Sequence, residues 1–173
     1  MEAVNLESYI RDIPDFPKPG IIFKDITPLL ADCRALEYAI RRMTEPYFNL
    51  GITKVVGIEA RGFLFAPSVA LALGAGVVPV RKPGKLPYKT KSYTYDLEYG
   101  TDTIEIHHDA IEPGEKILVI DDLLATGGTV NAACELIKIL GGDVVGIAFL
   151  IELGFLNGRE KLNGYPVHSL IQY

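Results

Sequence analysis

The stretch Ile117-Leu118-Val119-Ile120-Asp121-Asp122-Leu123-Leu124-Ala125-Thr126-Gly127-Gly128-Thr129-Val130 joins an apolar run to two adjacent acids and then to a turn of small residues. The run Ile117–Ile120 reads as a strand buried on both faces. Beyond the turn, Val130, Ala133, Ile137 and Leu140 share one face at helical spacing, and Gly141-Gly142 supplies a stop. The order strand, turn, helix sets Ala125–Thr129 at a helix N-terminus, where free N–H groups and the helix dipole suit a phosphate monoester. Gly127 and Gly128 permit close approach, and Thr126 and Thr129 add hydroxyl donors. Neither GxxxxGK[ST] nor GxGxxG is present here, so the turn is neither a nucleotide-triphosphate loop nor a dinucleotide fingerprint.

Working outward, the chain alternates apolar runs with helical segments. Leu6, Tyr9, Ile10 and Ile13 predict a short helix ended by Pro14, and Phe16-Pro17-Lys18-Pro19-Gly20 predicts a turn. A second helix is expected from about Arg34 to Phe48, and another over Gly62–Leu73, closed by Gly74. Strands are expected at Lys54–Glu59, Val77–Arg81, Lys116–Asp121 and Val144–Glu152. Strands separated by helices of this length imply one α/β domain over residues 1–173, a parallel twisted sheet flanked by helices. In such sheets ligands bind outside the carboxyl ends of the strands, which is where Asp121 and Asp122 fall. Adjacent carboxylates repel, so they gain from a sugar diol or a magnesium ion; a capping Asp beside a solvated one is the alternative reading.

Residues 82–106 depart from the pattern. Tyr93, Tyr95, Leu97 and Tyr99 alternate, and Ile104 and Ile106 continue the alternation on the return, which predicts a polar hairpin. An excursion of this length between core strands is usually functional or mobile; a decorated surface hairpin is the other reading.

Composition narrows the partners. Among 173 residues, 17 Lys and Arg stand against 22 Asp and Glu, a net charge of -5 that argues against nucleic acid as the main ligand. Cys33 and Cys134 lack ligand spacing and read as reduced core or near-core thiols of a cytosolic protein. His107-His108 lacks a third metal ligand at useful spacing and reads as a solvated pair near a strand end. No signal-peptide pattern is visible and no apolar run reaches the ~18 residues of a membrane span, so a soluble cytoplasmic protein is expected.

The segment Ile117–Val130 resembles the ribose-phosphate signature of the type I phosphoribosyltransferases, and its Asp-Asp-Leu-Leu-Ala-Thr-Gly-Gly-Thr version is similar to that of the adenine-using branch. Further segments agree in order along the chain: Phe16–Ile26, Glu59-Ala60-Arg61-Gly62-Phe63, Arg81-Lys82-Pro83-Gly84-Lys85-Leu86-Pro87, Leu97-Glu98-Tyr99-Gly100 and Ser169-Leu170-Ile171-Gln172-Tyr173. The resemblance implies the type I phosphoribosyltransferase fold, with an N-terminal purine-binding hood over residues 1–30 and a flexible catalytic loop over 82–106. It implies a purine salvage enzyme that converts adenine and 5-phosphoribosyl-1-pyrophosphate to AMP and pyrophosphate.

By this resemblance Asp121 and Asp122 hold the ribose hydroxyls, and Ala125, Thr126, Gly127, Gly128 and Thr129 bind the 5-phosphate. Ala60, Arg61, Arg81 and Lys85 bind pyrophosphate, with a cis peptide expected in the backbone before Arg61. Adenine is read largely by backbone groups of Ile22, Phe23 and Lys24, with Leu123 and Leu153 as apolar walls; Lys24 stands where the family usually has Arg. Glu98, with Tyr99 beside it, is the candidate general acid/base on the closing loop. Magnesium (Mg2+) is expected to ride on the pyrophosphate and sugar oxygens with no dedicated protein cage, and a homodimer is expected from the family alone. Two other functions compete: a non-catalytic sensor of phosphoribosyl pyrophosphate, and a phosphoribosyltransferase for another base. The sensor would normally carry a nucleic-acid-binding element, for which the chain has no spare length or basic helix. The Ile22–Lys24 and Leu97–Gly100 segments disfavour another base.

Overall fold

A computed structural model of the chain describes residues 3–97 and 100–173. After a single 3-10 turn at Leu6–Tyr9, β1 (Arg11–Pro14) pairs antiparallel with β2 (Ile22–Asp25). The expected helix through Ile13 is thus corrected to one turn followed by a strand. Its apolar spacing fitted a helix, but pairing with β2, made across the Phe16–Gly20 turn, decides the segment. Next come α1 (Thr27–Ala31), α2 (Cys33–Thr44), β3 (Lys54–Ile58), α3 (Ala66–Leu73) and β4 (Gly76–Val80). Asp32 caps α2, its carboxylate accepting from the Ala35 N–H at 2.8 Å. Pro46 and Pro67 explain two shorter helices than expected: each favours a first-turn position, so α2 passes into a 3-10 turn at Glu45–Tyr47 and α3 starts only at Ala66.

The hairpin is present as β5 (Thr90–Asp96) and β6 (Thr101–His107), in register from Thr90↔His107 to Asp96↔Thr101. Then follow β7 (Lys116–Leu124), α4 (Gly128–Ile139), β8 (Asp143–Glu152) and β9 (Val167–Gln172). Five strands form one parallel sheet in the order β4-β3-β7-β8-β9, with β7 at its centre. Strand β9 has no counterpart in the sequence reading. Its half-buried edge position gives neither a clean alternation nor a continuous apolar run.

Two apolar layers sandwich the sheet. Val130, Ala133 and Ile137 of α4, with Ile104 and Ile106 of β6, bury Ile117 and Val119 on one side. Ala35, Ala39 and Met43 of α2, with Val69 and Ala70 of α3, bury Leu118 and Ile120 on the other. Cys134 lies in the first layer, whereas Cys33 is exposed, which corrects its expected place in or near the core: it stands on the first turn of α2, outside the buried stripe. Burying each Leu, Ile or Val in these layers contributes about 1.5–3 kcal/mol. The result is a rigid platform whose carboxyl edge carries the loops described next.

Candidate active site

Strand β7 delivers Asp121 and Asp122 at the carboxyl edge of the sheet. Asp122 is buried, at 5% exposure. Its N–H donates to Asp121 Oδ1 at 2.9 Å, and Arg61 Nε lies 2.8 Å from its Oδ2. That Oδ2 is buried and has no hydrogen-bond partner among the described residues, so Arg61 holds it as an ion pair alone. Burial, and then the like charge of Asp122, push the Asp121 carboxyl well above the usual carboxylate range. Burial also raises Asp122, with Arg61 opposing. An acid pair held in this way gains from hydroxyl donors or a cation.

Gly62 explains how Arg61 reaches the acids. A Cβ there would lie 2.8 Å from the Ile120 carbonyl oxygen and 3.0 Å from Asp121 Oδ1, so only glycine lets the turn after β3 press against β7. The Glu59–Ala60 peptide in this turn is cis. Arg61 also stacks on Phe23, its guanidinium carbon 4.8 Å from the ring centroid.

The turn after β7 packs as closely. Gly127 takes φ of +78°, and a Cβ on it would lie 2.4 Å from the Gly158 carbonyl oxygen. In return, a Cβ on Gly158 would lie 2.2 Å from the Ala125 carbonyl oxygen. The Gly158 turn is itself stapled to β8, because Arg159 Nε and Nη2 donate to the two Glu152 carboxylate oxygens at 2.6 and 2.7 Å. Helix α4 then starts at Gly128 with its first N–H groups lacking intrahelical acceptors. Ala125, Thr126, Gly127, Gly128 and Thr129 line a cavity of about 90 Å³ with Asp121 and Leu123, sized for a single oxyanion and not a nucleotide.

A second cavity, about 330 Å³, adjoins it and shares Asp121, Leu123 and Thr129 as lining. Ala60, Arg61, Arg81 and Asp122 also line it, together with Glu59 and Lys82. Lys85 reaches the same cluster through Glu59, its Nζ 2.5 Å from Oε1. Arg81 Nε donates to Glu59 Oε2 at 3.3 Å, and the Lys82 N–H donates to the same oxygen at 2.9 Å. Burial alone would raise the Glu59 carboxyl, but Lys85, the Lys82 N–H and Arg81 outweigh it and hold it at about 2.

The hairpin leans on this cleft. Tyr95 packs its ring against Gly128, and its hydroxyl lies 2.9 Å from the Thr129 hydroxyl and donates to Asp102 Oδ2 at 3.2 Å. Asp102 in turn pairs with Lys82. Glu98 and Tyr99, the candidate general acid/base and its neighbour, lie outside the described residues. His107 and His108 end the hairpin beside Tyr88, and among the described residues no cluster of three or more His, Cys, Asp or Glu is placed to hold a metal.

Ile22, Lys24 and Leu153 meet around a third, apolar pocket of about 410 Å³, completed by Gly20, Ile21, Phe155, Leu156 and Tyr173. Lys24 Nζ lies 3.6 Å from the Tyr173 ring centroid and 2.7 Å from Asp12 Oδ1, so the Lys24 side chain ties β2 to β1 and to the end of β9. Leu123 lines the acidic cleft and not this pocket, and Phe23 sits over Arg61. The sequence reading did not assign Glu59, Lys82, Tyr95, Asp102, Phe155, Leu156 or Tyr173. Glu59, Lys82 and Tyr173 lay within quoted segments and Tyr95 among the alternating tyrosines; Asp102, Phe155 and Leu156 join the site only through the fold.

Comparison with known proteins agrees with this geometry. The family model for the phosphoribosyl transferase domain matches residues 22–167. The adenine phosphoribosyltransferase of Halothermothrix orenii is 60% identical, over 98% of this chain and 99% of its own. The crystal structure of adenine phosphoribosyltransferase from Thermoanaerobacter pseudethanolicus superposes with a TM-score of 0.94 at 53% identity, covering 97% of this chain and 98% of that one. The Giardia lamblia enzyme, solved with 9-deazaadenine, gives a TM-score of 0.92 at 41% identity, covering 98% of this chain and 96% of that one. With a phosphate-sized loop, a buried acid pair and a cationic cleft on one sheet edge, and relatives alike from end to end, the chain belongs to the phosphoribosyltransferase family.

Proposed function

We propose that this chain transfers the 5-phosphoribosyl group of phosphoribosyl pyrophosphate to adenine, releasing AMP and pyrophosphate. The observation that carries the reading is the shared wall of the two polar cavities. Asp121, Leu123 and Thr129 line both, so one ribose can keep its 5-phosphate in the loop and its C1 substituent among Arg61, Arg81 and Lys85. As the C1–oxygen bond breaks, positive charge develops on the ribose and the leaving group becomes more negative. Asp121 and Asp122 hold the sugar hydroxyls beside that developing cation, and the cationic cleft receives the pyrophosphate. The acid pair, with one buried carboxylate oxygen held only by the Arg61 ion pair, fits a magnesium ion carried on the substrate's oxygens; when bound, magnesium neutralises charge on the leaving group.

The apolar pocket of Ile22 and Leu153 suits a planar purine, and close relatives named for adenine support that base. Backbone groups of Ile22, Phe23 and Lys24 then read the exocyclic amine, since an oxo group would oppose a carbonyl acceptor. Glu98 exchanges a proton with the purine ring nitrogens, with Tyr99 beside it, as the hairpin closes. The enzyme acts in the cytoplasm; among the described residues no helix is long and apolar enough to cross a membrane. It works as a homodimer, and Phe48, Leu64, Leu71 and Val77, each more than 40% exposed, are apolar side chains that such an interface would cover. Turnover with magnesium and phosphoribosyl pyrophosphate, offering adenine, hypoxanthine, guanine and orotate separately, tests the function. AMP formation selective for adenine is expected; tight donor binding with no turnover of any base would favour the sensor reading.

A further inference from the structure

Four cations of the cleft are paired with three internal anions. Arg61 faces Asp122, the Lys82 ammonium faces Asp102, and Arg81 and Lys85 converge on Glu59. The Glu59 pair differs in kind from a surface salt bridge. Its carboxylate is 12% exposed and takes three donors, whereas the Arg81 and Lys85 side chains are 34% and 49% exposed. The anion is therefore fixed at the floor of the cleft, where the cations and the Lys82 N–H keep it ionised against the effect of burial, and the more exposed Arg81 and Lys85 side chains are the parts that can turn toward a ligand.

We propose that Glu59 is a resident counter-anion of the leaving-group site: it holds Arg81 and Lys85 in place while the cleft is empty, and competes with pyrophosphate for them when it is full. The inference rests on the assignment of the cleft to pyrophosphate. An incoming polyanion must draw Arg81 and Lys85 away from Glu59, or share them with it beside a like charge. Either way part of the attraction between cations and ligand is already spent, and pyrophosphate is held less tightly than the cations alone would hold it. Glu59 would thereby ease the departure of a product that would otherwise stay bound.

The sign of the effect separates this role from a merely structural one. In Glu59→Gln the amide keeps the shape and still accepts the Lys82 N–H, but it no longer carries the charge. Magnesium pyrophosphate titrated calorimetrically into the empty protein, and used as a product inhibitor, should bind the variant roughly three- to tenfold more tightly. That gain should shrink at high salt, where charge interactions are screened. Glu59→Asp, which keeps the charge, should restore wild-type affinity. Weaker or unchanged pyrophosphate binding in Glu59→Gln, or a raised magnesium requirement, would overturn the proposal. Should Glu59→Gln fail to fold, pyrophosphate binding to Arg81→Met and Lys85→Met in the wild-type background decides. A loss smaller than twofold from both would show that neither cation is contested. Failure of the wild-type protein itself to bind magnesium pyrophosphate would instead remove the assignment of the cleft.

Discussion

The Tyr95 and Thr129 hydroxyls lie 2.9 Å apart, which joins the hairpin to the first turn of α4. Burial pushes the Tyr95 hydroxyl up, so it stays protonated and can donate. Thr129 belongs to the loop proposed to hold the 5-phosphate, and Tyr95 to the hairpin that leans on it. Tyr95→Phe keeps the ring against Gly128 and removes only this link and the bond to Asp102. Losing one such bond costs about 1 kcal/mol, so KM for phosphoribosyl pyrophosphate should rise roughly fivefold. Steady-state kinetics with each substrate varied in turn should show KM for adenine little changed, and thermal melts should show a fall of a few degrees.

Gly127 and Gly158 offer a test of the loop's support. Gly127→Ala must move the backbone, because its Cβ would meet a carbonyl oxygen at 2.4 Å in a left-handed conformation. A cost of about 1–3 kcal/mol in stability is expected, with loss of donor binding. Gly164 shares a positive φ, at +97°, but has nothing within 4 Å of its Cβ position. Gly164→Ala should therefore cost only the conformational strain, about 1–2 kcal/mol, and leave donor binding intact. Melting curves and isothermal titration of the two variants would separate support from strain.

Asp121 should show the trade of stability for function. Its carboxyl is raised in the folded protein, so at neutral pH the ionised form works against folding, and protonation as pH falls relieves that penalty. Asp121→Asn should raise the melting temperature at pH 7 by a few degrees and by less at pH 5, while donor affinity falls by at least tenfold. Equal melting temperatures at both pH values would count against it.

Glu59 has the opposite sign. Its carboxyl falls from the ordinary 4.5 to about 2, so its ion pairs stabilise the fold in full above pH 4.5 and cease to do so as pH falls toward 2. The difference in melting temperature between wild type and Glu59→Gln should therefore be present at pH 6 and smaller at pH 3.5. Calorimetric scans across that range would measure it.

Lys24 can be separated from the backbone role of its segment. Lys24→Met removes the ion pair with Asp12 and the contact with the Tyr173 ring, and should raise KM for adenine by roughly two- to fivefold. Lys24→Arg should restore most of it. Donor KM is the control and should not move.

The central strand and the loop after it were legible in the sequence because their requirements are local. An apolar run needs burial, and Gly127 must supply a left-handed turn before a helix. Other features depend on contacts between distant segments. Leu6–Ile13 satisfied a helical spacing, yet its fate was decided by β2. Glu59 looks like any acid at a strand end until Arg81 and Lys85 are folded onto it. Tyr95 reads as one of several alternating tyrosines, and only the lean of the hairpin distinguishes it from Tyr93. Leu123 and Leu153 were read as two walls of one pocket, but they line different cavities: Leu123 stands within β7 opposite Ile151, and Leu153 lies just past the end of β8. Resemblance named Arg61, but the glycine after it shows how the arginine reaches Asp122.

The mutual contact of Gly127 and Gly158 divides the site into a stationary half and an adjustable one. On one side two backbones touch with no side chain between them, and the Glu152–Arg159 staple fixes the second. The phosphate loop cannot yield in that direction. Accommodation of anything larger or differently shaped must come from the outer part of the hairpin, where Tyr95 meets Thr129 and Asp102 meets Lys82, because its base is fixed by Ile104 and Ile106 in the core. Redesign toward bulkier ribose donors should therefore begin at Tyr95 and Asp102, where the enzyme can give way, and leave the glycines alone.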